Sequence, residues 1–297
     1  MAVIKTIGLP NSGRQAYYNT LYKIFFEELG FKTINSGETT KKIVDQGTKY
    51  SETDFCFAVK IYVGHVLELK DKADYIFVPS FTGKKQFFCP YHSAMPNIIQ
   101  TIFPNIKILT ENFNEPAKED WIGLKEIAKN LKKEEKEILI ALEKAKTAWE
   151  EEQKEQIKKE ESKLKQKKIK VALIGPDSYV IHDKYCLMNI PELLEENNVL
   201  PVFFNPFKYK KNENPTQGRI QWQIEQEIIN EIFDVINSKA INGLIFIYPF
   251  SCGPLFLIQE QILSKYPKKK ILVLNVDESQ NETRIKTRIE AFLDFVK

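Results

Sequence analysis

Two stretches of this chain follow the same plan, and that plan leaves few folds open. Each runs strand, turn, helix, strand, helix, strand, cysteine–proline loop, helix, strand. In the first half, Val3 to Leu9 reads as a strand, and it ends in the turn Pro10-Asn11-Ser12-Gly13. A helix follows, with Leu21, Ile24, Phe25 and Leu29 on one face, stopped by Gly30. Phe31 to Asn35 is the second strand and Asp74 to Pro79 the third; a loop from Ser80 to Phe88 leads to Cys89-Pro90. In the second half, Lys170 to Ile174 is the first strand, Leu244 to Tyr248 the third, and the loop carries Cys252-Gly253-Pro254. A strand–turn–helix–strand opening implies parallel sheets with right-handed crossovers. The expected fold class is therefore α/β, with two doubly wound parallel-sheet domains of the flavodoxin or Rossmann-like kind.

What joins them differs in kind. Lys129 to Gln166 is dominated by Glu and Lys and has neither Gly nor Pro. Ile138, Leu142, Ala145 and Trp149 recur at helical spacing, which predicts one long charged helix of about 45–55 Å at 1.5 Å per residue. The seam fades after Trp149, so the helix is expected to pack through its first half; a coiled coil is the alternative. The domains are read as 1–128, a connecting helix in 129–168, and 169–297.

Between these landmarks, Thr40 to Gly47 and Val59 to Lys70 read as helices. Ser93 to Ile102 reads as a helix interrupted by Pro96, and Asn105 to Leu109 as the fourth strand. Later come helices at Asn189 to Asn197 and Ile220 to Ile236, strands at Val199 to Phe204 and Ile271 to Val276, and a last helix, Thr283 to Val296. The polar segment Lys208 to Gln217 reads as a mobile surface loop.

Composition narrows the function classes. The 297 residues carry 43 basic and 40 acidic side chains, a net charge of +3 that gives no overall field for nucleic acid. No apolar run approaches the ~20 residues that span a bilayer. The N-terminus has no signal-peptide pattern, so a cytoplasmic protein is expected, with thiols kept reduced. Gly8-Leu9-Pro10-Asn11-Ser12-Gly13 lacks the Gly-Lys-Ser/Thr ending that cradles nucleotide phosphates, and no GxSxG or HExxH pattern occurs.

The four cysteines, Cys56, Cys89, Cys186 and Cys252, form no CxxC pair, which excludes a sequence-local zinc finger. Cys56, Cys89 and Cys252 lie in comparable settings, at junctions before helices. The carboxyl edge of a doubly wound sheet is where ligands bind, and a helix start favours a thiolate. Thiolates brought together from separate loops suit an iron–sulfur cluster or a zinc ion. Cys186 is either a fourth ligand or a buried structural thiol. Gly253 would let backbone approach the sulfurs. Lys60 and His65, beyond Cys56, are candidates for a charge partner and a proton donor, against the plain reading of solvated or packed helix residues. His92 is a ligand candidate of the same weaker kind, and Asp277-Glu278 either serves this edge or caps the final helix.

These residues carry a resemblance. Phe55-Cys56-Phe57-Ala58-Val59-Lys60 with Gly64-His65-Val66, Asp74 to Pro79, and Phe88-Cys89-Pro90 with Met95-Pro96 look like an N-terminal signature. Phe250-Ser251-Cys252-Gly253-Pro254, Asn275 to Glu278 and Thr287 to Phe292 look like a C-terminal one. Together they resemble the 2-hydroxyacyl-CoA dehydratase and benzoyl-CoA reductase superfamily, in its activase-related branch, which is also similar to double-cubane cluster proteins. The resemblance implies an oxygen-sensitive iron–sulfur protein of anaerobes. A 4Fe–4S cluster would sit between the two domains on Cys56, Cys89 and Cys252, with one iron open. Four cysteines fall short of the six thiolates of a double cubane, so a single cubane is implied. An ATP-dependent activase would deliver low-potential electrons, to be passed to a small or CoA-linked substrate in electron transfer for a reductase or dehydratase; a homo-oligomer is allowed. The alternatives are a non-catalytic subunit associated with an activase or dehydratase, and a cluster-free two-domain ligand-binding protein. Neither nucleic acid nor membrane is an implied partner.

Overall fold

The computed structural model describes residues 4–83, 87–115, 121–176, 183–203, 222–279 and 281–297. The chain divides into two compact units, Met1–Gln153 and Lys154–Lys297. The segment 208–217, read as a mobile loop, lies outside the described residues.

The first unit runs β1 (Thr6–Leu9), α1 (Gly13–Tyr17), α2 (Asn19–Glu28), β2 (Lys32–Asn35), α3 (Lys41–Tyr50), α4 (Phe57–Leu69), β3 (Tyr75–Phe77), β4 (Ser80–Gly83), α5 (Pro90–Ile102), β5 (Ile108–Leu109), β6 (Asn112–Glu115) and α6 (Ile122–Asn130). Its main sheet has the order β2-β1-β3-β5, and every pairing is parallel. Right-handed crossovers put the β1-to-β2 connection on one face and the next two connections on the other. The packing agrees. Tyr22 and Phe26 of α2 meet Phe77 of β3 with ring centroids 4.7 and 5.4 Å apart. On the opposite face Val59, Val63 and Val66 of α4 share a core with Ile76 and with Met95 and Ile99 of α5. Two helices following one another on one face have their starts side by side at the carboxyl edge of the sheet.

Helix α4 is buried on almost every side because α3 covers what the sheet leaves open. The two helices cross with backbones nearly touching: a Cβ at Gly64 would lie 2.1 Å from the Ile43 carbonyl oxygen, and one at Gly47 would lie 1.9 Å from that of Lys60. Only glycine fits at that crossing, and the contact fixes how α4 presents its first turn.

Three features of the first unit differ from the sequence reading. Ser80 to Phe88 is not all loop: β4 pairs in parallel with β6, Phe81 opposite Phe113. The ladder runs on past β3, with Val78 N–H donating to Leu109 O and Ser80 N–H to Glu111 O, but Pro79 between them has no N–H and divides one long strand into two. Helix α5 continues through Pro96 rather than breaking there. The Ser80 hydroxyl donates to Ser93 O, and the Ser93 hydroxyl to Phe81 O, tying the first turn of α5 to β4. The long charged helix, α7 (Glu135–Leu164), starts six residues later than Lys129, after a break in which Lys132 takes φ 61°. Ile138, Ala141, Leu142 and Ala145 are buried, Trp149 donates to Tyr17 O at 3.1 Å, and Lys144 pairs with Glu28 at 2.6 Å. The first half of α7 thus packs on the first unit, as its apolar seam predicts.

The second unit contains the last turns of α7, then β7 (Ile169–Ile174), α8 (Lys184–Leu187), α9 (Ile190–Glu196), β8 (Val199–Phe203), α10 (Gln223–Asn237), β9 (Gly243–Pro249), α11 (Gly253–Lys265), β10 (Ile271–Val276) and α12 (Glu282–Val296). Its sheet order is β10-β9-β7-β8, again all parallel. Read in chain order, both units place their strands 2-1-3-4, so the duplication seen in the sequence is a duplication of topology. β9 is buried along its whole length, which is why it reads as an unbroken apolar run rather than an alternating one. The final helix is capped by Asn281, whose side chain accepts from Arg284 N–H at 3.0 Å. Asp277 instead accepts from Ser279 N–H and Oγ, closing the turn before it. The capping role considered for Asp277 therefore belongs to Asn281.

Candidate functional site

Cys56, Cys89 and Cys252 occupy one structural position. Each is the N-cap residue of a helix, α4, α5 and α11, and each of these helices has thirteen residues. A serine or aspartate there would accept a hydrogen bond from the first turn. None of the three cysteine side chains makes such a bond. The positive end of each helix then faces a thiolate, or an anion held on it, directly.

In the first unit, Cys56 is buried and Cys89 half-buried. Burial pushes the Cys56 thiol up, while the N–H groups of Val59 and Ala58 and the charge of Lys60 pull the other way. These are the groups that would hold a thiolate once a metal replaced the proton. Tyr91, two residues after Cys89, packs its ring against Phe55 at 5.5 Å. Burial raises its phenol, and the charges of Cys56, Cys89 and Asp54 raise it further, in that order. Phe55 and Tyr91, which flank the starts of α4 and α5, therefore meet near Cys56 and Cys89. The sequence reading missed Tyr91; its only signal was an aromatic residue directly after Cys89-Pro90.

In the second unit, Cys252 is half-buried and follows Ser251, which has φ 65°, an uncommon conformation for a residue with a Cβ. Such a turn is held by its surroundings, and here the preceding Phe250 N–H donates to Val276 O at 2.7 Å. Tyr248 lies close by: burial raises its phenol, and the charge of Cys252 contributes to the same direction. A Cβ at Gly253 would meet nothing within 4 Å. The space beside Cys252 is open, room that a bulky group on the thiolate would fill. Three soft thiolate donors at helix starts, with open space at one of them, fit an iron–sulfur cluster chemically. Among the described residues, no three His, Cys, Asp or Glu side chains are gathered into a single metal-binding group.

The other sequence candidates are placed as follows. Cys186 is wholly buried inside the short helix α8; burial pushes its thiol well up and Asp183 adds to this. It shares neither the N-cap position nor the partial exposure of Cys89 and Cys252. Lys60 is buried on α4, near enough for its charge to reach Cys56. His65 is wholly buried, and both its ring nitrogens are engaged, Nδ1 with Ser36 Oγ and Nε2 with Thr39 Oγ1, each at 2.8 Å. Burial lowers its pKa to about 4, so the ring is neutral at pH 7. Ser36 Oγ also accepts from Asn11 N–H at 2.8 Å, so His65 braces the turn after β1. His92 packs between Phe81 and Phe88, and burial, with a contribution from Arg14, lowers it to about 4 as well.

No helix among the described residues is long and apolar enough to cross a membrane. No curated protein matches the chain. A family model described as the CoA enzyme activase uncharacterised domain matches residues 6–205, a span that holds Cys56, Cys89 and Cys186 and stops short of Cys252. That match covers more than half of the sequence and agrees with the activase-related branch to which the cysteine signatures pointed. The chain belongs to the family of the CoA enzyme activase uncharacterised domain.

Proposed function

We propose that this chain is a redox component in which the thiolates of Cys56, Cys89 and Cys252 hold a 4Fe–4S cluster, charged with low-potential electrons by an ATP-dependent activase. The electrons pass to a small or CoA-linked substrate. The observation that carries the reading is the N-cap position that the three cysteines share. A cluster of this kind supplies one-electron transfer at low potential. The protein's own part is to stabilise negative charge on the thiolates. The Val59 and Ala58 N–H groups and the Lys60 ammonium do this at Cys56, and the starts of α5 and α11 do it at Cys89 and Cys252. Tyr91 adds a phenol within electrostatic reach of two of the three. None of the four cysteines is in a disulfide, as a reducing cytoplasm would keep them, and a cytoplasmic place belongs to the same proposal.

The test is anaerobic purification or reconstitution, followed by iron and sulfide analysis and EPR with and without an activase and ATP. A cluster that is reduced only when both are present supports the reading. Iron near zero after reconstitution overturns it. A second reading, an accessory subunit without its own chemistry, is favoured by His65, which is neutral, hydrogen-bonded at both ring nitrogens to Ser36 and Thr39, and so has no free proton to offer. A cluster whose redox state never changes would select that reading.

A further inference from the structure

The two edges of the second unit's sheet are finished differently. The strand order is β10-β9-β7-β8, so β8 and β10 each turn one side away from the ladder. Unpaired backbone groups along such a side are a template for another strand. On β8 that side is closed. Pro201 has no N–H to offer there, Glu160 of α7 accepts from Phe203 N–H at 2.9 Å, and Lys163 of α7 donates to Pro201 O at 2.9 Å.

β10 has no such cover. Lys270 O and Val276 O accept from Leu244 and Phe250 N–H, so the even-numbered residues face β9, while Ile271, Val273 and Asn275 direct their N–H and C=O groups outward. Arg288 of α12 donates to Val273 O at 2.9 Å, and among the described residues it is the one bond made to these outward groups. The strand itself, Ile-Leu-Val-Leu-Asn-Val, carries neither a charge nor a proline to discourage pairing. Apolar surface gathers at the same edge. Among the described residues of the second unit five large apolar side chains are exposed, by 38–74%: Phe250, Phe256, Leu257, Leu263 and Phe295. All five lie on the turn after β9, on α11 or on α12, the segments next to β10 in the chain. α11 packs beside α10, and α12 beside α9. The α9 and α10 connections run in opposite directions across the sheet, so right-handed crossovers put α11 and α12 on opposite faces, flanking the β10 edge.

We propose that β10 is the contact with a second copy of this chain. Two β10 strands pair antiparallel about a two-fold axis at Val273 and join two four-stranded sheets into one of eight, while α11 and α12 each meet their counterpart on the two faces. The register is self-complementary. Val273 of one copy faces Val273 of the other, and Ile271 faces Asn275, so each outward N–H meets an outward C=O and none is left over. A carbonyl oxygen has two lone pairs, so Val273 O keeps Arg288 while accepting across the axis. At roughly 150–200 Å² per large side chain, the five exposed residues leave about 400–550 Å² of apolar surface uncovered. A stable interface covers about 800 Å² per partner, and the half-buried Ile271, Leu272 and Val273 with the bare backbone edge add to the side-chain share. The pairing uses none of the cysteines, so it stands or falls apart from the cluster.

The experiment is sedimentation of the full chain over about 1–100 µM, metal-free and after reconstitution with iron. Twice the chain mass is expected in both, giving way to the single-chain mass on dilution. Val273→Pro removes an outward N–H and leaves the bonds to β9 in place, which an edge strand tolerates. It deletes two ladder bonds across the axis, one from each copy, and should weaken the dimer about thirtyfold. Leu257→Lys puts a charge on α11 without touching the ladder and should weaken the dimer as well; if Val273→Pro does not fold, this variant carries the test. Hydrogen exchange gives a second readout: the β10 amides should exchange more slowly as the concentration rises, and those of β8 should not change. A chain that stays single up to about 100 µM overturns the proposal. So does a dimer that withstands these substitutions, or one whose β10 amides exchange at the same rate at every concentration, since its contact then lies elsewhere. Because the masses are read with and without iron, failure of the cluster reading and failure of this one give different results.

Discussion

Two histidines of the first unit, the buried His65 and the half-buried His92, make it sensitive to mild acid. In an unfolded chain both would titrate near 6.5, whereas in the fold burial holds each down to about 4. Between those values the unfolded chain binds protons that the folded one refuses. Stability is therefore fully present above pH 6.5, falls as the pH drops, and stops falling from this source near pH 4. For one such group, going from pH 7 to pH 5 costs about 2 kcal/mol. His65, wholly buried with both nitrogens engaged, should show the full amount. His92 keeps some surface open beside its aromatic neighbours, so about 2 kcal/mol is the upper limit of its share. The metal-free chain should then lose about 2–4 kcal/mol in urea unfolding between pH 7 and pH 5, followed through Trp121 and Trp149. In His92→Phe, which keeps the ring packing, the loss should shrink toward about 2 kcal/mol. NMR titration of the Cε1 protons reads the same quantity directly. Midpoints near 6.5 for both rings in the folded chain, or a urea midpoint that does not move between pH 7 and pH 5, would refute the reasoning.

Other substitutions separate the roles assigned above. Cys56→Ser, Cys89→Ser and Cys252→Ser should each abolish iron binding after reconstitution, while Cys252→Ser, at a half-buried site, leaves urea stability within about 0.5 kcal/mol. Cys186→Ala should do the reverse, keeping iron and losing about 1–2 kcal/mol, because it empties volume in a closed core; iron loss in that variant would restore Cys186 as a ligand. Gly64→Ala sets a Cβ 2.1 Å from a backbone oxygen that cannot move alone, so it should cost about 3 kcal/mol or unfold the α3–α4 pair in thermal melts. Gly253→Val has open space to enter and should fold normally, yet lower iron loading relative to the parent if that space is the cluster's.

The sheets were legible because their signals are local. β9 is a continuous apolar run, β1 ends at a turn of small and polar residues, and the same order of elements recurs in both halves. The errors fell where a long-range partner decides the outcome. Ser80 to Gly83 has no strand pattern of its own and becomes a strand only because Asn112 to Glu115 lies beside it. Pro96 reads as a break, yet its helix is held from outside by Ser80 and Phe81. Lys129 looked continuous with the charged helix since nothing in composition marks the turn at Lys132, where a backbone φ of 61° separates α6 from α7. The cysteine candidates also rest on a local pattern, a cysteine directly before a helix start, with a proline close behind at Cys89 and Cys252. Tyr91 could not be found that way, because what singles it out is its contact with Phe55, a neighbour brought in by the fold.

The N-cap placement also explains why cysteine, and not a better capping residue, fits these three positions. A serine or aspartate there would bond to its own helix and stabilise it by about 1 kcal/mol. At none of the three positions does the cysteine side chain make a capping bond of that strength. At Cys56 the two influences can be compared. Burial works against the thiolate, and it outweighs the combined pull of the Val59 and Ala58 N–H groups and Lys60, so the metal-free thiol stays protonated. A metal that takes the proton's place reverses this balance, since the same three groups then face a charge they can stabilise. Loading should therefore release protons and become easier as pH rises, with Lys60→Met shifting the dependence upward in pH because it removes one of the three. If iron uptake by the reconstituted chain were independent of pH between 7 and 9, or unchanged in Lys60→Met, Cys56 would not be held in this way.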